Sequence, residues 1–125
     1  MRFNNIDYKP LDREITLNGI NIDLHNDFFV HKIIKHSNAL YILFKSQRNS
    51  IPNVSMVFFE YNLLECNPSV IIDDFQANFI DIIRSSWDSK INYTEKQNEM
   101  LLTIYFDNDL ESITLTCKYF DIDFI

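Results

Sequence analysis

Gly19 is the only glycine in this 125-residue chain, and it directly follows Asn18. The pair is flanked by two runs in which apolar and polar residues alternate. Ile15 and Leu17 alternate with Glu14 and Thr16 on one side, and Ile20, Ile22 and Leu24 alternate with Asn21 and Asp23 on the other. A two-residue hairpin turn needs positive φ at both central positions, which Asn-Gly supplies at least steric cost. Period-two alternation places one face of each run against a core. The spacing predicts an antiparallel hairpin over residues 13–24. The same scarcity of glycine excludes a dinucleotide-binding fingerprint or a phosphate-cradling loop, both of which need several glycines in a short span.

Further strands follow. Residues 28–36 (FFVHKIIKH) and 39–46 (ALYILFKS) are separated by Ser37-Asn38, and Leu40, Ile42 and Phe44 alternate with Tyr41, Leu43 and Lys45. Apolar groups on both faces point to a central strand covered on both sides. Residues 47–53 read as a loop, and residues 54–66 (VSMVFFEYNLLEC) as one long strand bulged near Tyr61 and Asn62. Between 66 and 90, Ile72, Phe75, Phe79, Ile82 and Ile83 fall at helical spacing with Asp73 and Asp74 near an N-cap. This favours a helix over 73–86, with Trp87 packing it onto the sheet, while FIDII also fits a short strand. Residues 91–100 read as a strand end and turn, and 100–106 with 111–124 as a closing hairpin across Asp107-Asn108-Asp109. The expected fold is mainly β: an antiparallel meander or sandwich of six or seven strands with at most one helix near 73–86, which would make it α+β. The length fits a single domain over 1–125, with 1–10 as a polar N-terminal arm ending at Pro10.

Eighteen acids against eleven bases give a net charge of −7. Binding to nucleic-acid phosphates needs the opposite sign, so no direct nucleic-acid partner is expected, and an acidic surface favours basic partners instead. Cys66 and Cys117 are far apart with apolar neighbours, and read as buried, reduced thiols rather than a disulfide framework or zinc pair. Neither an apolar leader at the start nor an apolar run of membrane-spanning length is present. A cytoplasmic location without membrane association is the expectation.

Catalytic chemistry finds little support. His25 and His31 flank Asp27, but a metal site would need a third converging ligand, and no nucleophile elbow is present. No catalytic residue, metal or cofactor is assigned, and the chain is read as a non-enzyme. One cluster stands out. Asp107, Asp109, Glu111, Asp121 and Asp123 face Lys118 alone across residues 107–125, with Tyr119, Phe120 and Phe124 interleaved. Acids steer association and aromatics anchor interfaces, so Asp107, Asp109, Glu111, Tyr119, Asp121 and Asp123 are the candidate partner-binding residues. An ordinary terminal strand with one wet face fits the same pattern.

Leu24-His25-Asn26-Asp27, then Val30, Ile33 and Ile34, then Leu40, Ile42 and Phe44, with residues 54–66 after them, resemble the opening hairpin and next strand of certain small bacterial immunity proteins. These are encoded beside polymorphic or contact-dependent growth-inhibition toxins. The resemblance spans residues 22–66. It departs at Asn26, which displaces the acid to Asp27, and at Tyr61-Asn62, where a glycine is common. It implies a cytoplasmic protein that binds and neutralises a cognate toxin domain, often a basic nuclease. It carries over no individual functional residue. A non-catalytic β-rich module binding a small ligand or peptide is the alternative.

Overall fold

The computed structural model describes residues 1–4, 14–67, 87–94, 99–106 and 111–125, with backbone alone for 4, 66–67, 87–94, 99–100, 105–106 and 111–112. The fold is mainly β. Asn18 and Gly19 take φ of 50° and 80° between β2 (Ile15–Leu17) and β3 (Ile20–Ile22). This is the expected hairpin, with Ile15 opposite Ile22 and Leu17 opposite Ile20. It stops at Ile22 because Asp23 caps a single helical turn, α1 (Leu24–Asp27). Asp23 Oδ1 accepts from the His25 and Asn26 amides at 3.1 and 3.0 Å, satisfying two of the turn's orphan donors. Leu24 is therefore buried as the first helical residue and not as a strand residue.

The largest sheet has five antiparallel strands in the order β1 (Arg2–Asn4), β11 (Tyr119–Phe124), β6 (Val54–Phe59), β5 (Ala39–Ser46) and β4 (Phe28–His36). A second antiparallel sheet has the order β7 (Asn62–Asn67), β10 (Glu111–Cys117), β9 (Glu99–Phe106) and β8 (Trp87–Thr94). The expected β4–β5 hairpin closes through Ser37, at φ 54°, and Asn38. Its inner face carries Val30, Ile33, Ile42 and Phe44, and β4 is an edge bulged at His31.

Several expectations need correction. The long strand over 54–66 is two strands, broken where Glu60 takes φ 48°. The last strand likewise divides at Lys118 into β10 and β11, which belong to different sheets. The two breaks are one corner. β6 pairs with β11, and the start of β7 with the end of β10, in one continuous register, which sets Glu60 opposite Lys118 as the ribbon passes between sheets. A bulge follows at Leu64. With these two divisions and further strands at Arg2–Asn4 and Trp87–Thr94, the described residues hold eleven strands, against six or seven expected. Arg2–Asn4, in the segment read as an arm, is an edge strand, and Trp87 opens β8. The helix expected over 73–86 lies outside the described residues.

Both sheets and the β2–β3 hairpin bury side chains into one apolar cluster. Val30, Ile42, Phe44, Met56, Phe58, Phe120 and Ile122 come from the larger sheet, Leu102, Ile104, Ile113 and Leu115 from the other, and Leu17 and Ile22 from the hairpin. Cys117 is fully buried in this cluster, as expected. The side chain of Cys66 lies outside the described residues.

Candidate partner-binding face

β11 lies between β1 and β6, so its side chains alternate between core and outer face. Phe120 and Ile122 point inward and are fully buried. Phe120 packs against Phe58, with ring centroids 5.3 Å apart. Tyr119, Asp121 and Asp123 stand on the opposite, outer face. Cross-strand register places Tyr119 between Asn4 and Phe59, and Asp121 between Arg2 and Val57. The second row continues through Tyr41 to Ile34, so aromatic and aliphatic groups extend the face across β5 and β4. The Phe59 and Tyr119 rings stack with centroids 5.7 Å apart.

The charges on this face are partnered within the chain. Arg2 Nε donates to Asp121 Oδ1 at 2.8 Å and Arg2 Nη2 to Asp121 Oδ2 at 3.1 Å, a two-pronged contact. The same guanidinium lies 4.2 Å from the centroid of the Tyr119 ring, where the ring quadrupole attracts it. Hydrogen bonding to Asp121 outweighs desolvation and, with the charge of Asp121 added, raises the Arg2 pKa above its ordinary value. The Met1 ammonium donates to Asp123 Oδ1 at 2.7 Å. Met1, Arg2 and Asp123 are exposed and Asp121 is partly buried, and ion pairs open to solvent contribute little to stability.

Of the six candidates, Tyr119, Asp121 and Asp123 share this face. Glu111 starts β10 in the other sheet, opposite Phe106, a strand's length from Tyr119. Asp107 and Asp109 lie outside the described residues. Arg2, Val57, Phe59 and Tyr41 complete the face without having been expected there. Arg2–Asn4 is too short for any periodicity to register, and its partner strand is more than a hundred residues away in sequence.

Asp27, which His25 and His31 flank in sequence, serves a structural contact. Asp27 Oδ2 accepts from Arg48 Nη1 at 3.0 Å and from the Asp23 amide at 3.2 Å, which ties α1 to the loop after β5. Among the described residues, no three His, Cys, Asp or Glu side chains converge as metal ligands. A surface cleft of about 370 Å³ lies at the sheet-to-sheet corner, with Lys35, Ser37 and Asn38 on one side and Glu60, Tyr61, Asn62 and Leu63 on the other. No helix among the described residues is long and apolar enough to cross a membrane. Comparison with protein-family models, curated proteins and solved structures found no match to this chain.

Proposed function

We propose that this chain is a non-catalytic cytoplasmic inhibitor of the immunity type, which binds a cognate basic toxin domain and blocks its active site or substrate path. The observation that carries this reading is the outer face of β11. It sets a carboxylate and a phenol ring side by side, flanked by an apolar row, in a combination that accepts a guanidinium. Arg2 already occupies it in that manner. The net charge of −7 favours encounter with a basic partner, and aromatic anchors slow dissociation once docked. The resemblance of residues 22–66 to immunity proteins points the same way.

The test is co-purification of the chain with the product of the neighbouring gene, followed by assay of that product's toxicity with and without the chain. A stable complex that loses toxicity is the expected result. Failure to associate at micromolar concentrations removes the reading. The second reading, a small-ligand or peptide module, draws on the corner cleft, where Lys35 and Glu60 offer opposite charges beside Tyr61. Zwitterionic ligands that perturb Ser37 and Asn62 amides would favour it.

A further inference from the structure

β1 docks on β11 as a bound peptide would. Ile122 N–H donates to the Met1 carbonyl at 2.8 Å, and the Met1 nitrogen donates to the Ile122 carbonyl at 2.7 Å. In an antiparallel ladder such doubly bonded pairs alternate with close, unbonded ones. Phe3 and Phe120 therefore form the next bonded pair, and Arg2 and Asp121 form the close pair between them. Three recognition elements fall in one register: the backbone ladder, the Arg2 fork held by Asp121 and the Tyr119 ring, and Phe3 stacked on Phe120 with centroids 5.4 Å apart. What holds β1 is slight. It has three residues, its extensive packing is with β11, its Arg2 side chain is exposed, and only Phe3 is packed, partly buried, against the core. Segments with few buried contacts open locally far more readily than the whole molecule unfolds.

We propose that the edge of β11 is a strand-addition site for an extended protein segment bearing an arginine next to an aromatic residue, and that β1 closes this site as an internal mimic of that segment. The inference rests on the preceding reading for the partner being a protein domain. Strand addition draws affinity from main-chain hydrogen bonds and specificity from side-chain pockets. Here the pocket is the Asp121 carboxylate with the Tyr119 ring, and its bidentate geometry selects arginine over lysine. A partner strand replaces β1 pair for pair, so exposed β11 edge is never left unpaired.

The probe is a fluorescent octapeptide with the sequence of residues 1–8, titrated against the full chain and against the full chain carrying Arg2→Glu and Phe3→Pro. The proline removes a ladder donor and the glutamate repels Asp121, so the variant's own β1 is released. Peptide affinity for the variant is expected to exceed that for the unmodified chain at least tenfold. A peptide carrying Arg2→Glu is expected to lose at least tenfold. A folded variant that ignores the peptide, or takes both peptides equally, overturns the proposal. Amide exchange on the unmodified chain tests it even if the variant fails to fold. Phe120 and Ile122 face β1, whereas Asp121 and Asp123 face β6, so the first pair should exchange at least tenfold faster after correction for intrinsic rates. Equal protection overturns the opening of β1. The neighbouring gene's product separates the two readings. If it binds but the octapeptide does not compete, the strand-addition site is overturned and the inhibitor reading stands. If the octapeptide binds and that product does not, the site stands and the inhibitor reading falls.

Discussion

Gly19 shows how far one residue's conformational requirement reaches. Its φ of 80° is left-handed, and a Cβ built there would have no heavy atom within 4 Å. Gly19→Ala therefore meets no clash and incurs only the backbone penalty, expected at about 1–2 kcal/mol. Urea unfolding measures it, and a loss well beyond that range would point to a contact formed only on substitution. Asn-Gly was legible because the chemistry of a tight turn is local. Asp23 is local too, yet its run of alternating neighbours reads as strand, and only the structure shows it ending β3 and capping α1. Partial burial pushes its carboxyl pKa up, but hydrogen bonds from the Asn26 side chain and the Asn26 and His25 amides outweigh this, and the pKa lies below its ordinary value. A carboxyl depressed on folding contributes stability above its unfolded pKa, and loses that contribution as pH falls through the folded value. Asp23→Asn keeps a capping side chain without the charge. Its stability should therefore fall less than that of the unmodified chain between neutral pH and about pH 3. Asp23→Ala should cost about 1 kcal/mol at neutral pH.

Among the elements, hairpins with short loops were visible in the sequence and breaks within long apolar runs were not. The β4–β5 hairpin follows from alternation around Ser37-Asn38. The corner at Glu60 and Lys118 does not, because residues 54–66 and 111–124 are apolar enough to continue as strand on either side of it. What breaks them is pairing: both strands of one ribbon must turn together to pass from one sheet to the other. β1 was illegible for a related reason, since three residues gain strand geometry only from the β11 edge. Among the described residues, three that are not glycine sit at positive φ, Ser37 at 54° being one. Ser37→Gly removes the left-handed penalty while adding backbone freedom to the unfolded chain. A net stabilisation of up to about 1 kcal/mol is expected from thermal or urea unfolding. Destabilisation would show that the Ser37 side chain supports the turn.

At the scale of the whole molecule, a shared apolar core and an acidic exterior set different tests for Phe120 and for the acids beside it. Phe120 is fully buried and contacts rings from both adjacent strands, Phe3 on β1 and Phe58 on β6. Phe120→Ala should cost about 3–5 kcal/mol, a large share of the roughly 5–15 kcal/mol that a domain of this kind holds. The candidate site was half legible: the alternation of residues 119–124 put Tyr119, Asp121 and Asp123 together, but nothing local announced that Arg2 would neutralise Asp121 or that Glu111 would fall in the other sheet. That neutralisation changes what the acids are expected to do. Were they unpaired, removing them would mainly slow association with a basic partner. With Arg2 already seated, Asp121→Asn also weakens the hold on β1, so two effects oppose one another. Arg2→Ala separates them, since it leaves Asp121 charged and frees the Tyr119 ring. If the proposed basic partner uses this face, Arg2→Ala should speed its association at low salt, and the gain should shrink at high salt as charges are screened. In the Arg2→Ala background, Asp121→Asn and Asp123→Asn together should slow association and flatten its salt dependence. Stopped-flow kinetics against the neighbouring gene's product at low and high salt decide the matter. Association rates indifferent to Arg2, to both acids and to salt would mean that the partner docks elsewhere and that these acids serve only as a solvated edge that keeps sheets from pairing between molecules.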